Sequence, residues 1–174
     1  MKLFKISNKL FCTFVPVKLK SNPQKILVKF RKLFPNLKIQ LINSNSIINE
    51  DHLIWAVKQT CEAQNRGILL AKKFEIDLLL RLSVTGQIGE AIKYAGVSSP
   101  EQNLIVISLG PKNQLNKFNS WLENNFIILP LIHYGNPKEI LKKLNINYPV
   151  SNSTKSDLPL LLLSHSALIF ADKT

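Results

Sequence analysis

The sequence predicts an α/β fold of the mixed α+β kind, a single domain spanning residues 1–174 in which helices flank a central mixed sheet. Three observations lead to this prediction. The length of 174 residues suits one domain. Hydrophobic residues make up 45% of the chain and charged residues 20%, a composition typical of proteins that bury a core. Stretches with strand composition are interspersed with stretches of helical periodicity.

Five short apolar stretches have the composition of β-strands. The first two flank Ser7-Asn8 and predict a hairpin. The stretch Ile76–Leu82 is too continuously apolar for an exposed strand, so we place it at the centre of the sheet, with Asp77 as a polar break. The predicted strands are Leu3–Ile6, Leu10–Phe14, Leu37–Ile42, Ile76–Leu82 and Leu104–Leu109.

Capping residues and apolar spacing predict the helices. Asn22 precedes Pro23, which marks a helix start, and Asn49 begins a long helix that Gly67 ends. The last apolar run is too short to span a bilayer, so we expect a buried or partner-facing helix there. The predicted helices are Pro23–Phe34, the segment between Asn49 and Gly67, Ile88–Ala95 with Gly96 as its stop, Asn113–Asn124, Pro137–Leu144 and Leu158–Phe170.

The chain is strongly basic and its charge is uneven. It carries 23 Lys and Arg against 11 Asp and Glu, a net charge of +12. Ten of the basic residues and no acidic residue fall in the first 38 positions. Lys25, Lys29 and Lys32 stack at helical spacing on the first helix and form a basic stripe. This balance favours polyanionic partners, with nucleic acid as the leading candidate.

Motifs for catalysis, cofactor binding and metal binding are missing from the sequence. The glycines form no nucleotide-binding loop, no serine lies in a nucleophile elbow, and the three histidines are widely separated. The two cysteines form no CxxC pair. We therefore predict a non-enzyme without cofactor or metal, and we expect no signal peptide and a cytoplasmic location. A small α/β enzyme whose site forms only on folding stays open as an alternative.

Several basic and aromatic side chains are candidates for RNA contact. Arg66, Lys72, Lys73 and Arg81 are either phosphate or base contacts or ordinary solvated charges. An arginine within an apolar strand must find a partner or reach the surface, which makes Arg81 the most informative of them. Two tryptophans either stack on bases or belong to the core; they are Trp55 and Trp121.

The segment Gln40–Val97 resembles the kinase-binding subunit family of the KEOPS complex, which installs threonylcarbamoyl groups on tRNA. The similarity lies in the order and spacing of short motifs. They are Ile47-Ile48, His52-Leu53-x-x-Ala56, Gly67, Ala71-Lys72-Lys73, Asp77-Leu78-Leu79 and Gln87-Ile88-x-x-Ala91-Ile92 closing at Gly96. The tail Leu160–Asp172 looks like the last helix of the family. The chain departs from the family pattern at Arg81, where an aromatic residue is usual, and at Gly86, where a basic residue is usual.

The resemblance implies a small α/β protein that catalyses nothing itself. Such an archaeal-type subunit would bind and regulate the atypical kinase/ATPase subunit of KEOPS, and the kinase would contact the threonylcarbamoyl transferase. It would also hold the 3′ CCA end of tRNA. A free-standing basic RNA-binding domain outside KEOPS is the alternative. The residues assigned to tRNA are Arg66, Lys72, Lys73, Arg81 and Gln87.

The kinase contact is assigned to the C-terminal helix. Leu160, Leu163 and Ala167 fall at helical spacing and would pack into a groove on the partner. The other interpretation of these three residues is a helix docked on its own sheet.

Overall fold

The computed structural model describes residues 1–146 and 157–171. These residues form seven helices and five strands, numbered in chain order. The strands are β1 (Leu3–Lys5), β2 (Phe11–Lys18), β3 (Lys38–Asn43), β4 (Leu104–Gly110) and β5 (Ile127–Ile128). The helices are α1 (Pro23–Leu33), α2 (Glu50–Arg66), α3 (Phe74–Leu82), α4 (Ile88–Ala95), α5 (Lys112–Asn125), α6 (Pro137–Lys143) and α7 (Asp157–Ala171).

The mixed α/β class is confirmed, and the described residues group into two compact units. The sheet unit comprises Met1–Ser44 and Gly96–His133. The helical unit comprises Asn45–Ala95 and the described residues from Tyr134 onward. The prediction that the chain is a single domain stays a prediction.

The sheet of the sheet unit is antiparallel throughout the described residues, not mixed as predicted. Its order is β1-β2-β4-β3, and β5 pairs with the end of β2 beyond β1. The central strand β4 is buried along its whole length, as a strand with neighbours on both sides and covered faces must be. The predicted strands near β1, β2, β3 and β4 are confirmed.

One face of this sheet packs against α1 and α5. Leu27 and Phe30 of α1 and Phe118 of α5 join the inward residues of β2, β3 and β4 in one core. The rings of Phe30 and Phe118 meet edge to face with centroids 5.5 Å apart, an arrangement that aromatic pairs favour. Trp121 packs against this core, so the core interpretation of that tryptophan is confirmed.

The start and end of α2 follow the sequence signals. The Asn49 side chain accepts a hydrogen bond from the backbone N–H of His52 at 3.0 Å. Gly67 has a φ of 73°, a left-handed conformation that glycine adopts without strain. The predicted long helix is therefore confirmed at both ends.

The predicted central strand Ile76–Leu82 is wrong, because this stretch forms α3. The helix contacts α2, α4 and α7, and its four leucines at positions 78, 79, 80 and 82 are all buried. A short helix enclosed by other helices is apolar on every side, so its sequence lacks the polar stripe that distinguishes helix from strand. The i, i+4 spacing of Asp77 and Arg81 was the available signal for a helix.

The remaining predicted helices are confirmed, with ends shifted by at most one residue. The last of them, α7, begins at Asp157, and the family-like tail reaches Asp172, which lies outside the described residues. No helix in the part of the chain that the structure describes is long and apolar enough to cross a membrane.

Candidate functional site

The two sides of α7 have different surroundings. Leu158, Leu162 and Ser166, spaced four residues apart, are at most 3% exposed and face the interior of the helical unit. Leu158 and Leu162 pack in a core with residues of α6, and α7 also contacts α2 and α3. The helix is therefore anchored on other helices of its own unit and not on a sheet.

The opposite side of α7 is open to solvent and carries apolar side chains around the exposed Ser164. Leu160 is 52% exposed and Leu168 is 64% exposed, and Ala167 is also exposed. Leu163 is half-buried at the border between the two sides. The residues predicted for kinase contact thus lie on the outward side or at its edge, and their role stays a prediction.

A polar contact fixes the position of α7 against α2. The Gln59 side chain donates from Nε2 to the Leu163 carbonyl at 3.1 Å, and its Oε1 accepts from the Ser166 hydroxyl at 2.9 Å. Ser166 is only 1% exposed. Because these bonds form at one rotation of α7 about its axis, they decide which side chains point outward. The sequence alone assigned this positioning role to neither Gln59 nor Ser166.

A buried ion pair lies within α3. Arg81 donates from Nε to Oδ2 of Asp77 at 2.8 Å, and the two side chains are 6% and 0% exposed. The other carboxylate oxygen of Asp77 accepts from the backbone N–H of Leu70 at 2.8 Å. Asp77 therefore ties the loop between α2 and α3 to the helix that follows it.

His52 is buried at the start of α2. It is 4% exposed, and its Nδ1 accepts a long hydrogen bond of 3.4 Å from the Ile48 N–H. Burial lowers the pKa of His52 from 6.5 to about 4, because desolvation disfavours the charged imidazolium. This histidine is therefore neutral at pH 7, and its ring belongs to the interior.

The residues predicted for tRNA contact fall into two groups. Lys72 and Lys73 are exposed in the loop before α3, Gln87 is exposed just before α4, and Arg66 is exposed at the end of α2, paired with Glu62 at 2.7 Å. Arg81 differs from these four because its guanidinium is buried against Asp77. The prediction that Arg81 lies in a strand is wrong. Its ion pair with Asp77 supplies the partner that an arginine in apolar surroundings needs.

The turn that presents Gln87 is capped by a side chain. The Gln87 backbone N–H donates to Oγ1 of Thr85 at 3.2 Å, and the Thr85 hydroxyl donates to Glu90 at 2.9 Å. A helix, not a strand, leads into this turn. The Thr85 side chain therefore caps the turn that links α3 to α4.

A small cavity of about 10 Å³ lies between α2, α3 and α7. A cavity of this volume has room for about one water molecule, so it is too small for a substrate. Trp55, at 37% exposure, stands at the cavity, which makes the core interpretation wrong for this tryptophan. In the described ranges, no three His, Cys, Asp or Glu side chains are grouped to hold a metal ion.

Comparison with known families gives one match. The sequence model of the family described as Kinase binding protein CGI-121 matches residues 16–155. This range includes the segment Gln40–Val97, on which the resemblance was based, and ends just before α7. No curated protein matches the sequence of this chain.

Proposed function

We propose that this chain is a non-catalytic subunit of KEOPS, because it belongs to the CGI-121 family of kinase-binding proteins, which is the KEOPS subunit family. In this role it binds and regulates the atypical kinase/ATPase subunit and recruits tRNA through its 3′ CCA end. The kinase then links it to the threonylcarbamoyl transferase. The outward side of α7 is the kinase contact in this proposal.

The observation that carries the proposal is the two-sided apolar character of α7. Its inward leucines pack in the core of the helical unit, whereas the outward Leu160 and Leu168 are more than half exposed. Fully burying one leucine stabilises a complex by about 1.5–3 kcal/mol, and a partner groove that covers both would gain from each. Apolar anchors at helical spacing are the usual features of helix-in-groove recognition.

Exposed cations support the tRNA part of the proposal. Lys72 and Lys73 stand side by side on a loop that Asp77 anchors, and Arg66 lies at the end of the preceding helix. An unpaired RNA end offers phosphates and accessible bases to such groups. A free-standing RNA-binding domain would use the same cations but would need no apolar side on α7.

The substitution Leu160→Glu tests the kinase contact. We expect it to weaken binding to the co-expressed, tagged kinase subunit at least about tenfold, because a desolvated carboxylate replaces an apolar anchor. The fold should persist, since the side chain is half exposed in the isolated chain. Pull-down followed by titration calorimetry measures the effect.

Leu131→Glu is the matched control. Leu131 lies in the sheet unit and is 68% exposed, so the same change occurs on a different apolar surface residue. If Leu160→Glu and Leu131→Glu both bind the kinase subunit with wild-type affinity, the outward side of α7 is not part of the interface. Absence of kinase binding by the wild-type chain would favour the free-standing RNA-binding alternative.

A further inference from the structure

The positive charge of this chain is concentrated in the sheet unit. That unit carries twelve Lys and Arg against two Asp and Glu, a net charge of +10, whereas the rest of the chain carries eleven against nine, a net charge of +2. The residues predicted for tRNA contact all belong to the helical unit. The main excess of charge therefore has no role in the function proposed above.

Much of this charge lies on and beside one side of α1. Lys25, Lys29 and Lys32 are exposed and recur at i, i+4 and i+7, so they align along the helix. Lys18 and Lys20, just before α1, are exposed as well. We call these five lysines the basic face. The first acidic residue of the chain is Glu50, so no carboxylate close in sequence offsets them.

The aromatic side chains near the basic face pack into or against the core of the sheet unit. Phe30 is fully buried, and Phe34 packs with Phe118 and Trp121 at centroid distances of 4.9 and 5.7 Å. The exposed apolar residues among the lysines are Val28 and Leu33, at 66% and 49% exposure. Proteins that bind single strands rely on aromatic rings that stack on bases. The half-buried Trp121 ring lies beside this surface, but it packs against the core and the Lys29 ammonium lies 5.7 Å from its centroid, so the surface offers mainly lysines, which suit phosphates.

We propose that the basic face binds the sugar-phosphate backbone of double-stranded RNA. The inference rests on the proposed function in one respect, since the duplex it would meet there is the body of the recruited tRNA. The site differs from the contact for the 3′ end in its residues, its unit and the form of RNA it takes.

The spacing of the lysines fits this ligand. Lys25 and Lys32 lie about 10 Å apart along the helix axis at 1.5 Å per residue. One strand of a duplex presents a phosphate about every 3 Å along its axis, so the row spans about three phosphates. Like charges at i, i+4 oppose helix formation, and a bound polyanion relieves that repulsion.

The test uses a blunt RNA hairpin duplex without a single-stranded 3′ end and the full chain. Fluorescence polarisation at several salt concentrations compares the wild type with the triple variant Lys25→Gln, Lys29→Gln, Lys32→Gln. We expect the slope of log K against log salt to become shallower by about 2 to 3, because each phosphate contact contributes about 0.9. Affinity at low salt should fall at least about tenfold.

The matched control removes the same charge from the helical unit. Lys138, Lys142 and Lys143 of α6 are exposed, and their triple Gln variant should keep the wild-type slope within about 1. Equal losses in both variants would show only general attraction and overturn the inference. Wild-type duplex affinity in the α1 variant would also overturn the inference. So would competition by polyglutamate that is at least as strong as competition by RNA of equal charge.

This inference and the proposed function can fail independently of each other. The α1 variant should keep its thermal unfolding midpoint and its binding to the kinase subunit, because the three lysines are exposed surface residues. Loss of duplex binding in the wild type, with kinase binding intact, would remove this inference alone. Loss of kinase binding, with duplex binding intact, would remove the proposed function alone.

Discussion

At the scale of single residues, the polar side chains buried in the described part of the helical unit include the ionisable Asp77, Arg81 and His52. Asp77 and Arg81 neutralise each other, and Asp77 also holds the Leu70 N–H. Removing one member of a buried ion pair typically costs about 3–5 kcal/mol, because the other charge is left without compensation. A loss of stability should therefore be separated from a loss of RNA affinity in any variant of Arg81.

His52 gives the fold a dependence on pH. The pKa of His52 in the folded chain, about 4, lies below the ordinary 6.5. Between these two pH values the unfolded state binds a proton on His52 and the folded state does not. We expect its contribution to be complete above pH 6.5 and to be lost as the pH falls toward 4, by roughly 3 kcal/mol in all. Urea unfolding of the wild type and of His52→Leu across this range measures the difference.

The comparison between these two proteins isolates His52 from the carboxylates, which titrate in both. His133→Leu, a change at an exposed histidine, is the control and should follow the wild-type pH profile. Parallel loss of stability in the wild type and in His52→Leu between pH 6.5 and 4 would contradict the burial of a neutral imidazole.

At the scale of elements, the contact between α2 and α7 decides what α7 shows to a partner. An apolar helix packs on an apolar surface with little preference for one rotation. Polar groups that must be paired when buried supply that preference. The bonds of Gln59 to Leu163 and Ser166 do so here, and we infer that they position the side of α7 proposed for kinase contact without belonging to it.

Gln59→Leu tests this positioning role. The change leaves the buried Ser166 hydroxyl without its acceptor, which should lower the free energy of unfolding by about 1–3 kcal/mol. We expect kinase affinity to fall several-fold in a chain that remains folded. Adding Ser166→Ala should restore part of the stability without restoring affinity, because the preferred rotation of α7 is still lost. Titration calorimetry and urea unfolding give the two quantities.

Gln87→Leu makes the same chemical change at an exposed position of the helical unit and should leave kinase binding unchanged. If affinity follows stability in all variants, and the double variant regains both, Gln59 has a structural role only.

At the scale of the whole molecule, the net positive charge and the family membership both favour tRNA as a partner. We expect tRNA without its 3′ CCA to bind more weakly than intact tRNA at both low and moderate salt, since removal of the unpaired end removes the bases that the exposed cations can reach. Filter binding with the two tRNAs measures this. Lys72→Ala with Lys73→Ala should reduce the difference between them. Equal binding of both tRNAs, lost equally with salt, would count against recruitment through the 3′ end.

The sequence by itself determined the class of the fold, most of its elements and the family of the protein. Caps such as Asn22, Asn49 and Gly67 work because they satisfy or end a helix through local backbone geometry, and local geometry can be read from neighbouring residues. The order and spacing of motifs between Gln40 and Val97 indicated the family that matches residues 16–155.

Only the tertiary structure decided which apolar segments are enclosed and which polar groups meet. The stretch from Phe74 to Leu82 forms a helix because three other helices surround it, and enclosure removes the periodicity that would have identified it. Arg81 proved to be an internal partner of Asp77, and Gln59 met Ser166 across 107 positions of sequence. Such contacts depend on the packing of distant elements, and no local pattern of residues specifies that packing.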